Sequence, residues 1–336
     1  MNHQRKRIIE NFLYQNGWAE AMRTTLAGDA SFRAYERVTL ESKSAILMNA
    51  CPPDGDVRPF VKIAQHLIWL GYSAPRILAA DEEASLLLLE DLGKNTYTKV
   101  LSNGGNETAL YELAIDLLID LHKRPTAESI PPALPTYGNG RLLDEVFLIP
   151  QWAYPAFTGL PATEDIRSAY GKIWLKLFSH VHTGPKTLVL RDYHVDNLMW
   201  LSKRAGIRAC GLLDFQDAVA GHPAYDLMSL LEDARRDLGH GVKAKMIERY
   251  LSAFPNLDKK NFEIVFSILA AQRHAKVIGI FTRLWKRDGK PAYLIHIPRV
   301  WALLEAALEN PVLSDLKGWF DKYLPTTMRS LPEMTQ

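Results

Sequence analysis

The stretch 188–215 constrains the fold of this chain more than any other part of its sequence. Apolar residues lead into Asp192, a polar segment follows as far as Asn197, and a second apolar run begins directly after it. The polar turn at 202–206 then reverses the chain into a third apolar run, which ends at Asp214. This pattern predicts a strand, a loop and a hairpin, and the hairpin is expected to bring Asp214 back beside Asn197.

These three side chains suit the transfer of a phosphoryl group. A catalyst of that reaction must orient the attacking hydroxyl and neutralise negative charge with a divalent cation. Asp192 would accept or orient the hydroxyl proton, while Asn197 and Asp214 would supply the hard oxygen ligands that Mg²⁺ prefers. An Asp and an Asn at this spacing are common by chance. The prediction of a phosphoryl-transfer site therefore rests on the flanking strand and the hairpin, and not on the spacing alone.

The loop matches a motif of a known superfamily. Residues 190–197 resemble the catalytic loop His-Gly-Asp-x-His-x-x-Asn of the aminoglycoside phosphotransferase and choline kinase group, which are relatives of the protein kinases. Leu190 and Arg191 replace the leading His-Gly, whereas Asp192, His194 and Asn197 match the motif. The segment 221–227 also resembles that group, in which an aspartate, here Asp226, braces the loop from a helix start. The resemblance implies an α+β, bilobal protein-kinase-like fold.

Segments outside the loop narrow the resemblance to the bacterial kinases that phosphorylate the anomeric hydroxyl of N-acetylmuramate and N-acetylglucosamine in cell-wall recycling. They lie at 28–33, 48–53, 89–93 and 272–284. The resemblance covers nearly the whole chain and implies ATP, Mg²⁺ and an amino-sugar acceptor. One alternative is a kinase for another small alcohol, such as an aminoglycoside, choline or a homoserine-like compound. Another is a nucleotide-binding pseudokinase with a regulatory role.

Hydrophobic periodicity changes near residue 92. Residues 1–92 predict a small mixed lobe, because short apolar strands alternate with turns around a helix at 59–70; the resemblance implies that this lobe binds the nucleotide. An antiparallel sheet plus that helix is the expected structure. Residues 93–336 predict a larger, mainly helical lobe, and the resemblance implies that it carries catalysis and sugar binding. Its predicted helices are 108–122, 166–182, 225–237, 243–253, 262–286 and 299–308.

The nucleotide is expected to contact two segments of the smaller lobe. The loop 27–33 lies between predicted strands, and its backbone N–H groups would face phosphate oxygens. The residues of this loop assigned to the nucleotide are Gly28, Asp29, Ala30, Ser31, Phe32 and Arg33. By resemblance, backbone groups near Glu90 and Leu92 form the hinge that pairs with adenine.

One position departs from the protein-kinase pattern. Those enzymes carry a lysine on the third strand, where this chain has Met48, and no acidic residue follows within 60–70 to pair with it. Arg33, Arg37 or Lys62 could supply the missing cation. We favour Arg33, because it closes the predicted phosphate loop.

The helix predicted at 262–286 carries the hypothesis about the acceptor. At about 100° per residue, its cations fall on one face and form a basic stripe of Arg273, Lys276, Arg283 and Arg287. Such a stripe favours an acidic group, as in muramate, and disfavours a polycationic aminoglycoside. Arg273 and His274 are the predicted substrate contacts, and Glu145 receives the same role by resemblance. The alternative is an ordinary solvated helix face.

Composition excludes several other classes of protein. The 40 Lys and Arg residues against 38 Asp and Glu residues give a formal net charge of +2, so nucleic acid is not an expected partner. Cys51 and Cys210 lie in apolar settings and predict neither a disulfide framework nor a zinc site. No uninterrupted apolar run reaches membrane-spanning length. We therefore expect a cytoplasmic enzyme without a membrane partner.

Overall fold

An antiparallel sheet of five strands forms most of the β structure. The computed structural model describes residues 3–26, 33–52 and 55–329 of the chain. The strands are β1 (Met22–Thr25), β2 (Arg33–Leu40), β3 (Lys43–Ala50), β4 (Ile77–Asp81), β5 (Leu86–Glu90), β6 (Thr187–Val189), β7 (Leu198–Trp200), β8 (Cys210–Leu212) and β9 (Val219–Gly221). The large sheet has the order β1-β2-β3-β5-β4, with every neighbouring pair antiparallel. The predicted sheet is confirmed.

Helices make up most of the remaining chain. They are α1 (His3–Gln15), α2 (Arg58–Trp69), α3 (Tyr97–Ser102), α4 (Glu107–Lys123), α5 (Thr126–Ser129), α6 (Asn139–Val146), α7 (Tyr154–Thr158), α8 (Glu164–Val181), α9 (Ala224–Leu231), α10 (Val242–Ser252), α11 (Lys259–Lys286), α12 (Ile297–Leu308) and α13 (Ser314–Tyr323). A π-helical turn, Ile149–Ala153, precedes α7. The mainly helical character predicted for the C-terminal part is confirmed.

The helix α1 packs its apolar stripe against the large sheet. Ile9, Phe12 and Leu13 are spaced by three and four residues, so they share one helix face. The buried members of this core are Ile9, Phe12, Leu13, Val38, Ala45, Leu47, Leu86 and Leu88. Burying each large apolar side chain stabilises the fold by roughly 1.5–3 kcal/mol. The sheet and α1 therefore share one hydrophobic core.

The hairpin of β7 and β8 belongs to the same compact unit as the large sheet. That unit comprises Met1–Ala114 and Val195–Ala218. Ser73 fastens the hairpin: its Oγ donates to the carbonyl oxygen of Arg208 at 2.6 Å, and its own carbonyl accepts from the N–H of Leu212 at 2.8 Å. The predicted hairpin is confirmed, and side-chain and backbone bonds tie it to the sheet-bearing unit.

The second compact unit comprises Ile115–His194 and Val219–Gln336. In it, β6 and β9 pair antiparallel, so that Leu188 lies opposite Ala220, and α9 begins soon after β9. The division into a nucleotide-binding lobe, residues 1–92, and a lobe for catalysis and sugar binding, residues 93–336, stays a prediction. The boundaries of the two compact units differ from the predicted boundary at residue 92, because they fall after residues 114, 194 and 218.

The helix α11 is the central helix of the second unit. Within the described ranges it is the one helix long and apolar enough to cross a membrane, but 72% of its most apolar window is buried inside the protein. A core helix passes the same test of length and composition. Gly279 brings α11 against the π-helical turn, because a Cβ at this position would lie 2.8 Å from the carbonyl carbon of Leu148. The helix is thus packed by close backbone approach as well as by side chains.

Candidate active site

The catalytic loop begins where β6 ends. The N–H groups of Leu190 and Arg191 donate to the two carboxylate oxygens of Asp226, at 2.6 and 2.9 Å. Asp226 is fully buried in the first turn of α9. Burial raises its pKa to about 7, and the two N–H groups oppose that rise. These contacts agree with the bracing role that the resemblance implies for Asp226.

Arg191 has an unusual backbone conformation immediately before Asp192. Its φ is 69°, and this left-handed region costs a residue other than glycine about 1–2 kcal/mol. The carbonyl oxygen of Arg191 accepts hydrogen bonds from Arg273 Nη1 at 3.2 Å and from Ser229 Oγ at 3.3 Å. The N–H of Asp192 donates to the carbonyl of Leu190 at 2.9 Å. These bonds offset the strain and fix the direction of the chain at Asp192.

Asp192 is a partly exposed carboxylate surrounded by cations of its own unit. Its side chain is 34% exposed, and its Oδ1 lies 3.5 Å from Nη1 of Arg273. Partial burial opposes ionisation, but the charges of Lys276 and Arg273, with smaller effects of His194 and Arg191, hold the pKa of Asp192 well below its usual range. Asp192 is therefore ionised and accessible, as an acceptor for a substrate hydroxyl must be.

Glu145, a predicted substrate contact, lies at the centre of a buried ion network. Its Oε2 accepts hydrogen bonds from Tyr137 Oη at 2.5 Å and from Gln272 Nε2 at 2.7 Å. Its Oε1 pairs with Nη2 of Arg191 and lies 3.4 Å from Nζ of Lys276. Burial opposes ionisation of Glu145, but the charges of Lys276 and Arg191 outweigh it and lower its pKa. Both carboxylate oxygens are thus engaged within the protein. We call these five residues the Glu145 network.

The predicted metal ligands lie together on the hairpin of the first unit. The N–H of Leu213 donates to the carbonyl of Asn197 at 2.9 Å, and Asn197 Nδ2 lies 3.4 Å from Asp214 Oδ2. Gln216 Nε2 donates to Asp214 Oδ1 at 2.7 Å, which orients the carboxylate. The prediction that the hairpin brings Asp214 beside Asn197 agrees with this geometry.

The donor chemistry of this pair fits magnesium. Mg²⁺ is commonly held by one or two protein oxygens and completes its octahedron with water and substrate phosphates. In the described part of the chain, no group of three or more His, Cys, Asp or Glu side chains is arranged to hold a metal ion. Asn197 and Asp214 therefore suit a cation shared with a phosphate better than a fully protein-bound one.

Arg37 is one of three candidates for the missing strand cation, and its guanidinium is paired with a carboxylate of the protein. Its guanidinium forms two hydrogen bonds with the carboxylate of Asp91, at 2.6 and 3.0 Å, and a third with the carbonyl of Gly93 at 2.8 Å. These bonds tie β2 to the segment that follows β5. Asp91 thus neutralises Arg37, and Arg33 and Lys62 are the other two candidates for binding phosphate.

Arg33 begins β2, at the edge of the predicted phosphate loop. Residues two apart on a strand share a face, which places Arg33 beside Tyr35. Burial and the charge of Asp214 raise the pKa of Tyr35 to about 12, and the charge of Arg33 opposes that rise. Arg33 and the predicted metal ligand Asp214 thus both act on one hydroxyl. The predicted loop residues Gly28, Asp29, Ala30, Ser31 and Phe32 lie outside the described residues.

The predicted hinge follows β5. The N–H of Glu90 donates to the carbonyl of Arg76 at 2.8 Å, and its carboxylate pairs with Arg204 at 2.7 Å and with Arg76 at 3.1 Å. A contact of adenine with Glu90 would therefore have to use the carbonyl group. Within the described part of the chain, the backbone N–H and C=O of Leu92 make no hydrogen bond. The backbone N–H and C=O of Leu92 are therefore more available to a ligand than the N–H of Glu90.

His274, the other predicted substrate contact on α11, is buried. It is 1% exposed, and its Nε2 lies 2.6 Å from Oε2 of Glu232. Glu232 also pairs with Nζ of Lys243 at 2.7 Å. The imidazole nitrogen that could face a ligand is thus engaged with Glu232, which anchors α11 to the end of α9.

The basic stripe predicted on α11 divides into two parts. Arg273 and Lys276 are buried beside Asp192 and Glu145, so a solvated face does not describe them. Arg287 is exposed and forms two hydrogen bonds with its neighbour Asp288. Helical spacing alone predicts one continuous face, but the packing partners change along a helix of 28 residues.

Two residues near the site were missed as site residues by the reasoning from sequence. Among the surrounding charges, Lys276 lowers the pKa of Asp192 most. The charge of Asp214 raises the pKa of Tyr35. Each carried a weak signal, because Lys276 stands one helical turn after Arg273 and Tyr35 stands two residues after Arg33. Such spacing identifies a shared face without showing which charge it meets.

Comparison with known sequences agrees with this chemistry. Residues 23–259 match the family described as phosphotransferase enzyme family. An N-acetylmuramate/N-acetylglucosamine kinase of Caulobacter vibrioides is 37% identical, and the match covers 98% of this chain and 99% of that protein. A kinase of the same name from Pseudomonas aeruginosa is 36% identical over 89% of each chain. The resemblance inferred from the motifs is confirmed.

Comparison with solved structures shows the fold. The choline kinase LicA from Streptococcus pneumoniae superposes with a TM-score of 0.63 at 12% identity, covering 92% of this chain and all of that one. Wild-type aminoglycoside 2'-phosphotransferase-IIIa superposes with a TM-score of 0.59 at 14% identity, covering 91% and 99%. The predicted α+β protein-kinase-like fold class is confirmed. The chain belongs to the phosphotransferase enzyme family.

Proposed function

We propose that this chain is an ATP- and Mg²⁺-dependent kinase that phosphorylates the anomeric hydroxyl of N-acetylmuramate, N-acetylglucosamine or both. Relatives that share 37% and 36% of its residues bear the name of such a kinase. The structural observation that carries the proposal is Asp192, an ionised and accessible carboxylate held among cations. The acceptor is a small neutral or acidic sugar, and the cytoplasm is the proposed location because ATP is available there.

Asp192 is the proposed acceptor for the proton of the attacking hydroxyl. A carboxylate with so low a pKa is a weak base, so it cannot remove this proton before phosphoryl transfer has begun. It orients the hydroxyl through a hydrogen bond and takes the proton late, when the oxygen has become acidic. That order suits the loose transition state of phosphoryl transfer. The partial exposure of the Asp192 side chain beside Arg273 supports this role.

Asn197 and Asp214 are the proposed ligands for Mg²⁺. When bound, the cation would neutralise charge on the ATP phosphates. The hydrogen bond from Gln216 keeps one oxygen of Asp214 oriented and leaves the other facing Asn197. Asn197 follows Asp192 by five residues in the same loop, which supports their action on one substrate.

The nucleotide is assigned to the first unit. Arg33 is the proposed phosphate cation, supported by its shared influence with Asp214 on Tyr35. The loop of Gly28 to Phe32 is proposed to cover the phosphates by resemblance. Leu92 is the proposed backbone partner of adenine, because its peptide groups have no other partner among the described residues; Glu90 would add its carbonyl.

A panel of acceptors tests this function. The purified chain is incubated with Mg²⁺, ATP and each of N-acetylmuramate, N-acetylglucosamine, choline, an aminoglycoside and homoserine, and products are identified by phosphorus NMR. A sugar 1-phosphate is the expected product. Asp192→Ala should lose turnover by at least about 1,000-fold while it still binds ATP, because the residue acts on the acceptor. Phosphorylation of choline alone, or unimpaired turnover by the variant, would contradict the proposal.

A further inference from the structure

The Glu145 network sits directly behind the catalytic loop and joins three elements of the second unit. Glu145 comes from α6, Arg191 from the loop, and Gln272 and Lys276 from α11. Tyr137 closes the network, with its ring 5.5 Å from the Arg191 guanidinium. Every polar contact of Glu145 is therefore made to residues of the same compact unit. The network therefore contacts the loop from within the second unit and can hold it in place.

Arg191 shows why such a support is needed. The left-handed backbone at φ 69° would be free of strain in glycine, but here it is occupied by a residue with a long side chain. The backbone bonds to Asp226, Arg273 and Ser229 hold the peptide groups. The side chain is held separately, by the buried pair with Glu145. Two independent sets of contacts thus define the residue immediately before Asp192.

Lys276 connects the network to the chemistry. Its Nζ lies 3.4 Å from Oε1 of Glu145, and its side chain is only 7% exposed. Its charge also acts on Asp192. Glu145 therefore holds a buried cation whose charge favours the ionised form of Asp192. The same carboxylate holds the loop through Arg191 and holds Lys276 on α11.

We propose that Glu145 is a positioning residue, which holds Arg191 and Lys276 so that Asp192 points at the acceptor hydroxyl. The inference rests on the role proposed for Asp192. It replaces the expectation that Glu145 touches the sugar, because both of its oxygens are engaged within the protein. A positioning residue and a substrate contact differ in what their loss does to kcat and KM.

Two variants and their combination test the proposal. Glu145→Gln keeps the shape but removes the charge that holds both cations, so kcat should fall about 10- to 100-fold while the KM for the acceptor stays within about twofold. Arg191→Gly removes the side chain and its buried ion pair but also relieves the backbone strain, so kcat should fall while the melting temperature decreases less than the loss of the pair alone would cause. In the double variant, the losses should be less than multiplicative, by at least about fivefold, because the two residues act as a unit.

A second ion pair of the same unit provides the control. Arg249 forms two hydrogen bonds with Asp116 at 2.7 and 2.8 Å, but both side chains are substantially exposed. Asp116→Asn should leave kcat and KM at wild-type values, since exposed pairs contribute little. Circular dichroism of all variants reports folding. If Glu145→Gln does not fold, Arg191→Gly still decides, because its loss of kcat is expected in a folded protein.

Three results would overturn the proposal. A rise in acceptor KM of tenfold or more with kcat intact would make Glu145 a substrate contact. Fully multiplicative losses would show that Glu145 and Arg191 act independently. A wild-type kcat in Arg191→Gly would show that catalysis does not depend on the ion pair between Arg191 and Glu145. The cycle is run with the best acceptor from the panel, so an unexpected acceptor would overturn the proposed function without affecting this comparison.

Discussion

Replacing Arg273 by methionine should move the acid limb of catalysis to higher pH. The change removes a charge whose Nη1 lies 3.5 Å from Asp192 Oδ1 and keeps much of the side-chain volume. Burial of Asp192 disfavours its ionised form, and Lys276 and Arg273 reverse that preference. Removing either cation therefore raises the pKa of Asp192, so the base becomes protonated, and inactive, at a higher pH than in the wild-type protein.

The distance sets the size of the shift. Two unit charges at this separation interact by about 1.2 kcal/mol in water and by about 4.7 kcal/mol at an effective dielectric constant of about 20. The side chain of Asp192 is 34% exposed, so solvent screening places the loss near the lower figure. Since one pH unit corresponds to about 1.4 kcal/mol, we expect the pKa of Asp192 to rise by about 1 unit.

The assay is kcat/KM for the acceptor at saturating ATP and Mg²⁺, measured by quenched transfer of labelled phosphate across the acid range. The ratio of variant to wild type is plotted at each pH, because protonation of ATP affects both proteins equally and cancels. The ratio for Arg273→Met should fall as the pH decreases. Arg273→Lys keeps a cation, and its ratio should be nearly independent of pH even if overall activity is lower.

A surface arginine of the same helix is the matched control. Arg287 is exposed and paired with Asp288, so Arg287→Met should give a ratio close to one at every pH. If Arg273→Met and Arg273→Lys lose the same activity at all pH values, Arg273 acts through packing or through its bond to the Arg191 carbonyl. The electrostatic account of Asp192 would then be wrong.

Two further predictions concern packing and metal binding. Gly279→Ala should lower the free energy of unfolding by about 1–3 kcal/mol in urea titrations, because a Cβ there would overlap Leu148; the control Gly318→Ala, with open space around it, should be neutral or stabilising by up to about 1 kcal/mol. Asp214→Asn should raise the Mg²⁺ concentration for half-maximal rate by at least about tenfold, since it removes the charged ligand. An unchanged Mg²⁺ requirement would argue against the pairing of Asp214 with Asn197 as metal ligands.

The hairpin that carries Asn197 and Asp214 was predictable because its signal is local. Apolar strands, a polar turn and the positions of Asn197 and Asp214 lie within a short stretch, where alternation and turn residues determine the pairing. The observed strands β7 and β8 follow that pattern, and the two side chains lie side by side. The Asp226 brace was also accessible, through its motif, although its hydrogen-bond partners were not.

Other features were beyond the reach of a sequence pattern. The helix predicted at 225–237 ends at Leu231, because Glu232 leaves the helical conformation and turns its carboxylate to His274. Strand β9 was missed, since three residues carry too little periodicity to be recognised. Both features depend on partners far away in the chain.

The sequence by itself determined which residues are proposed for the reaction: a carboxylate, an amide and a second carboxylate, at the spacing of a phosphotransferase loop and on the strands that present them. Only the tertiary structure decided what surrounds Asp192. Arg273 and Lys276 are more than 80 residues away from it, and helical spacing could not distinguish a solvated stripe from a buried cluster. Charge interactions depend on distance and burial, which arise only when remote elements pack. For the same reason, Glu145 changed from an expected sugar contact into the proposed support of the catalytic loop.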